Sequence, residues 1–290
     1  MKPSVATHKA TIVTKGFSSS LINPKWPSRK VKFLDFILNR IPVLKIGVIN
    51  KMVDKNAHLT GVPFIETICR EAGIQVNLIG GENLPKTGPV TIVANHPGGA
   101  DILATIVGLG KIRHDLAILA NKLICIEPVK DLVVPIDMMG SQKVDPALVH
   151  EAYRQGKVVV FYAAGKNSRY NDEGLLRDRR WRTTFMEYAK QYNTPINVLR
   201  IGGKNSSLFY KVSEFRAKHK SLKNVPLENM FQLREILLSK GIVDMYLSKS
   251  VSFPPEIEGK ERTAKQIIRN QTDALYDFIY TMDENNLAFK

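Results

Sequence analysis

One stretch of this sequence brings a base, a carboxylate and two glycines together at a spacing suited to chemistry. Residues 90–101 read Val-Thr-Ile-Val-Ala-Asn-His-Pro-Gly-Gly-Ala-Asp. Four residues separate His96 from Asp101, and the Pro-Gly-Gly turn between them can fold the carboxylate back onto the imidazole. An Asp that accepts a hydrogen bond from one ring nitrogen fixes the tautomer and leaves the other nitrogen free as a base. Such a base can take the proton of a hydroxyl during its attack on an acyl carbon. The same two residues read equally well as a helix-capping Asp beside a structural histidine. The pair alone does not choose.

Positioning these groups takes a strand before the turn and a helix after it. Val90–Ala94 is an apolar run suited to a buried strand, and Ile102–Leu109 has a helical pattern beginning near Asp101. His96 then falls just past the carboxyl end of a strand, where open α/β sheets gather their ligands. Further strand-like runs are Val76–Ile79, Leu116–Leu119, Val158–Phe161, Ile196–Ile201 and Ile242–Leu247. Helical patterns cover Ala147–Arg154, Arg180–Gln191 and Leu227–Ser239, and a final amphipathic helix runs from Ala264 to Met282. This alternation predicts an α/β fold: a mostly parallel mixed sheet covered by helices on both faces.

Composition narrows the classes. The chain has 290 residues, 44% hydrophobic and 24% charged, which excludes disordered and fibrous proteins. Two cysteines, Cys69 and Cys125, exclude a disulfide framework or a Cys-rich zinc module. The six histidines show no paired ligand spacing, so His114 and His150 read as surface residues, and no metal or redox cofactor is expected. Gly108-Leu109-Gly110 lacks the last glycine of a dinucleotide fingerprint and closes a helix instead of opening one. No apolar run reaches the roughly 18–20 residues of a membrane span, and no cleavable signal is expected at the polar N-terminus.

Charge is the strongest compositional signal. The net charge is +15, concentrated in residues 1–60, with eleven Lys or Arg and two acids, and in residues 161–220, with thirteen and five. An anionic partner is expected: a membrane surface, a phosphate, or nucleic acid. Aromatics, at 8%, do not interleave with the basic clusters and no nucleic-acid-binding motif appears, so no nucleic-acid partner is expected. Residues 33–53 carry a wide apolar surface flanked by cations and interrupted by Pro42. The pattern fits two short helices in a bilayer interface, and fits nearly as well a helical hairpin packed on the core. The expected division is a basic lead-in with an interfacial, membrane-associating helical element over 1–60 and an α/β domain over 61–290.

Four stretches, in order, give the sequence a familiar cast. Asn95-His96 with Asp101 resembles the first signature block of the glycerolipid acyltransferase family, whose members include bacterial lysophosphatidate acyltransferases. Pro128–Lys143 occupies the place of the second block, with Lys143 where the family closes on Arg. Tyr162-Ala-Ala-Gly-Lys-Asn-Ser-Arg169 resembles the third, usually Phe-Pro-Glu-Gly-Thr-Arg-Ser, with Ala164 in place of the Glu and the Arg one position later. Thr194–Ile196 and Gly202-Gly-Lys-Asn-Ser-Ser-Leu-Phe-Tyr210 resemble the fourth block and its extension in the haemolysin-like and lyso-ornithine-lipid variant.

The resemblance covers residues 70–250 or so and implies a lysolipid O-acyltransferase. It implies His96 as general base and Asp101 as its orienting partner. Gly165 and its neighbours would offer backbone N–H groups to an oxyanion or a phosphate. Lys166, Arg169 and Lys204, with Ser168 and Asn205 from the same blocks, would hold the substrate's anionic headgroup. Arg177, Arg179, Arg180 and Arg182 would face lipid phosphates or an acidic acyl carrier protein. The donor would be an acyl carrier protein or coenzyme A thioester, a co-substrate and not a cofactor. The acceptor would be a membrane lysolipid, either lysophosphatidate or, given Ala164, a lyso-aminolipid. The expected location is the cytoplasmic face of the inner membrane, held peripherally on an anionic surface. The chain contains no Gly-x-Ser-x-Gly elbow, which speaks against a serine hydrolase. A catalytically silent lipid-binding protein of the same fold is the alternative.

Overall fold

A computed structural model describes Arg29 and residues 40–136, 144–219, 227–251 and 263–289. Its centre is a seven-stranded sheet built from β1 (Ile74–Ile79), β2 (Val90–Ala94), β3 (Leu116–Asn121), β4 (Val133–Ile136), β5 (Val158–Tyr162), β8 (Ile196–Ile201) and β9 (Gly241–Leu247). The intervening β6 (Arg169–Tyr170) and β7 (Leu176–Arg177) form a separate small antiparallel hairpin. The sheet order is β1-β9-β8-β2-β5-β3-β4. Every adjacent pair is parallel except β8 and β9. The sheet is therefore mixed and mostly parallel, as the alternating pattern predicts.

Helices cover both faces because the strands are apolar on both. Val90, Ile92 and Ala94 of β2 face one layer with Leu116, Ile118, Val158 and Val160. There they meet α1 (Ile46–Lys55), α2 (Gly61–Ala72) and α3 (Asp101–Gly110). Val93, Ala117, Leu119, Val159 and Phe161 face the other layer, against α4 (Pro146–Arg154), α5 (Thr184–Tyr192) and α8 (Ala264–Ile279). Burying each large aliphatic side chain contributes about 1.5–3 kcal/mol, so these two layers dominate the folding free energy. The remaining helices, α6 (Ser207–Lys218) and α7 (Leu227–Leu238), pack on each other.

Several sequence expectations change. The helix expected from Arg180 starts only at Thr184, because Trp181 is buried and Arg182 spends its amide on the Ala163 carbonyl. β4, α2 and α6 are additional elements. Within 33–53, residues 33–39 lie outside the described residues, and Pro42 does break the segment, into a short 3-10 turn followed by α1. The apolar face of α1, with Ile46, Ile49, Met52 and Val53, is buried, and the last three join the main core. That face of α1 thus packs on the α/β domain; among the described residues of the segment the large hydrophobics left exposed are Val43 and Val48. Residues 137–143 of the second block also lie outside the described residues. No helix among the described residues is long and apolar enough to cross a membrane.

Candidate active site

The central strand β2 lies between β5 and β8, with Ala94 level with Tyr162 on one side and Leu199 on the other. The three strands are parallel, so their carboxyl ends share one edge. The loops leaving that edge are the first, third and fourth signature stretches. Blocks far apart in sequence meet for this topological reason. Asn95 ties two of the loops at their root: its Nδ2 donates to the Ile201 carbonyl at 2.9 Å and its Oδ1 accepts the Ile201 N–H at 2.7 Å.

His96 sits just past β2, and its Nδ1 lies 2.6 Å from Asp101 Oδ2. Asp101 opens α3 and is 2% exposed, while the His96 side chain is 16% exposed. The same carboxylate accepts the Gly98 N–H and the Ile102 N–H, each at 2.7 Å. Two backbone N–H groups thus converge on this carboxylate at the positive end of a helix. Both oxygens already accept backbone N–H groups, so toward the ring the carboxylate accepts as well: His96 Nδ1 carries the hydrogen and Nε2 is the free basic nitrogen. Nε2 has no hydrogen-bond partner among the described residues. Asp101 is thus the first residue of α3, with Ala100 and not Asp101 at the N-cap, and its carboxylate holds the His96 ring.

Burial disfavours the imidazolium, but Asp101, by charge and hydrogen bond, and Asp178, by charge, outweigh it. They hold the His96 pKa above its ordinary value despite the opposing Arg169 cation. The ring lies against Tyr162, with centroids 4.7 Å apart. Burial pushes the Tyr162 phenol up, so it stays protonated and donates to Thr105 Oγ1 at 2.9 Å.

The other expected site residues divide. Gly165 has φ +63, and its N–H closes a turn onto the Tyr162 carbonyl at 2.9 Å; it is not an available oxyanion or phosphate donor. Ser168 is buried and turned inward, its N–H on the His96 carbonyl at 2.7 Å and its hydroxyl on Asp178 at 2.5 Å. Arg169 is half-buried, with Nε on Ser213 Oγ at 3.1 Å, one Nη on the carbonyls of Asn167 and Ser168, and its guanidinium over Phe209. Its charge reaches the site, while its donors brace the third loop. Asn205 is buried, and its Oδ1 accepts the Gly99 N–H at 2.7 Å, which fastens the fourth loop to the turn between His96 and Asp101. Lys166 and Lys204 are exposed on the third and fourth loops. Of the second cationic cluster, Arg180 pairs with Asp273 and Arg177 lies over the Tyr280 ring, while Arg179 and Arg182 are exposed. His114 is exposed as expected, but His150 is half-buried and bonded to the Tyr192 hydroxyl at 2.6 Å.

Asp178 is the residue that sequence reasoning missed. It is buried behind the turn, and one of its oxygens lies 3.1 Å from the His96 backbone N. No spacing signal marks it, for it lies among arginines and 82 positions from its partner. Among the described residues no cluster of His, Cys, Asp and Glu could hold a metal ion.

A family model described as acyltransferase matches residues 25–284. A lyso-glycine lipid O-acyltransferase of Bacteroides thetaiotaomicron is 32% identical over 170 residues, covering 57% of this chain and 62% of that protein. One of the same name from Phocaeicola vulgatus is 30% identical over 169 residues, covering 57% and 60%. The chain thus spans about three fifths of the length of these relatives. The crystal structure of the 1-acyl-sn-glycerophosphate acyltransferase PlsC from Thermotoga maritima aligns over 92% of this chain and 88% of that one, at a TM-score of 0.37 and 14% identity, too distant to carry an argument. With the match spanning nearly its whole length, the chain belongs to the acyltransferase family.

Proposed function

We propose that this protein transfers a fatty acyl group from a thioester to the hydroxyl of a lysolipid. The observation that carries this reading is the 2.6 Å contact between His96 Nδ1 and Asp101, with Nε2 left free as a base. In the reaction Nε2 takes the hydroxyl proton as the oxygen attacks the thioester carbon. The C–S bond then breaks, and the imidazolium returns the proton to the departing thiolate. Asp101 holds the tautomer and stabilises the imidazolium while it lasts. No acyl-enzyme is needed, because the acyl group passes directly from sulfur to oxygen. The intact pair argues against a catalytically silent lipid-binding protein.

The acceptor we infer is a lyso-amino lipid. Ala164 replaces the Glu of the usual third block, and the two relatives are named for a lyso-glycine lipid. Lys166 and Lys204, exposed beside the catalytic turn, suit an anionic headgroup. A long-chain acceptor seldom leaves its bilayer, since each buried CH₂ contributes about 0.8 kcal/mol. The enzyme therefore works at a membrane surface, peripherally and on the cytoplasmic side, where acyl carrier protein and coenzyme A thioesters are found.

The test is an assay of the purified protein with acyl carrier protein or coenzyme A thioesters and two acceptors, lyso-glycine lipid and lysophosphatidate. Transfer to the amino lipid is expected to dominate, and His96→Ala is expected to lose about 10²–10⁴-fold in rate while keeping its fold. Full turnover by His96→Ala would remove the assignment of the base. Preferential transfer to lysophosphatidate would overturn the acceptor class.

A further inference from the structure

The His96–Asp101 pair accounts for the orientation of the imidazole but not for where the base stands relative to the third and fourth loops. His96 is held at its backbone as well. Its carbonyl accepts the Ser168 N–H at 2.7 Å, and its N–H points to Asp178 Oδ1 at 3.1 Å. The same Oδ1 takes the Ser168 hydroxyl at 2.5 Å, and Oδ2 takes the Trp181 indole N–H at 2.9 Å. Behind the carboxylate the backbone of Asp178 is tied to α8. Its N–H donates to the Tyr280 hydroxyl and its carbonyl accepts the Tyr276 hydroxyl, both at 2.7 Å.

One buried residue therefore joins the catalytic turn and the third loop through its side chain and the end of α8 through its backbone. Burial pushes the Asp178 carboxyl up, and the Ser168, Trp181 and His96 donors together with the His96 charge oppose that rise; two of those donors are N–H groups that can only donate, so both oxygens act as acceptors. We propose that Asp178 is a positioning residue of the acyltransferase site, whose carboxylate fixes the His96 backbone to the third loop and places a second negative charge beside the base. The inference rests on His96 being that base.

A neutral amide of the same shape would hold part of the geometry and remove the charge. The two roles predict different things. A purely structural brace affects stability and leaves the titration of His96 alone, whereas a charge that acts on the imidazole moves it. The groups facing His96 are Asp101 from α3, Tyr162 from β5, Arg169 from β6 and Asp178 itself. Those facing Asp178 are His96, Ser168, Trp181, Tyr276 and Tyr280, with Arg177 adjacent in sequence. Removing the Asp178 charge leaves Arg169 less opposed, so the His96 midpoint must fall.

The experiment is an NMR titration of the imidazole in the full chain, its signal assigned by its loss in His96→Gln. It is run on the wild type, on Asp178→Asn, and on Asp178→Asn with Trp181→Phe, which removes the indole donor that would face the new amide. The wild-type midpoint is expected above the ordinary histidine value of about 6.5. Both variants are expected to move it down, and the low-pH limb of kcat/KM is expected to follow, with KM for the lysolipid held. A wild-type midpoint at or below about 6.5, or a folded variant whose midpoint stays put, overturns the proposal. Because the titration needs no turnover, an inactive wild type whose midpoint still falls on charge removal would discard the acyl-transfer reading and keep the link between Asp178 and His96.

Discussion

At the scale of single residues, the proposed mechanism and stability ask opposite things of His96. The base works only when neutral, and its two carboxylate neighbours hold its pKa above the usual value. The rise of kcat/KM with pH is therefore expected to centre above about 6.5, the value of a free histidine. The sign for stability is reversed. A folded pKa above the unfolded one means the native state binds the proton more tightly, so the stabilisation is fully present below about 6.5 and is lost as pH rises through the folded pKa. Urea midpoints of the wild type should fall across that window relative to His96→Gln, while activity climbs. Parallel curves for the two proteins would show that the imidazole gains nothing from its partners on folding.

At the scale of elements, the turn between His96 and Asp101 depends on a glycine that the fourth loop leaves no room to replace. Gly98 has φ +97, and a Cβ there would lie 2.0 Å from Asn205 Nδ2. Gly98→Ala must displace the Asn205 amide, which holds the Gly99 N–H at 2.7 Å, and must also bear the strain of a positive φ. The combined cost is expected to be about 2–5 kcal/mol in urea unfolding, with transfer activity lost because His96 moves. Adding Asn205→Ala should recover part of the stability, so the double variant costs less than the sum of the single ones. Strict additivity would mean that the two loops do not press on each other. The same crowding explains why the glycines precede Asp101: any side chain at Gly99 would meet the Ser239 hydroxyl at the end of α7.

At the scale of the whole molecule, the net charge of +15 governs what the protein meets before chemistry begins. On the proposed reading it draws the enzyme to an anionic bilayer, and the attraction is screened by salt. Co-sedimentation with vesicles rich in phosphatidylglycerol should weaken steeply between about 0.1 M and 1 M salt, as the Debye length falls from about 10 Å to about 3 Å. Phosphatidylcholine vesicles should bind poorly throughout. Equal binding to both lipids, or a preference for duplex DNA over vesicles at the same ionic strength, would contradict a charge-directed membrane contact.

The sequence by itself determined what local spacing can determine. His96 and Asp101 lie five positions apart around two glycines, so their meeting is a property of one turn. Central strands such as Val158–Tyr162 are apolar throughout and declare themselves, whereas β4 is short and contains Pro135. Tertiary structure decided whatever depends on which surface a group is turned towards. The apolar stripe of α1 has the same periodicity whether it faces lipid or protein, and only packing gave it to the core. The N–H of Gly165 belongs to a ligand or to a turn according to where the Tyr162 carbonyl points. Asp178 reaches His96 only because parallel strands deliver distant loops to one edge, and a contact made across a sheet leaves no period in the chain.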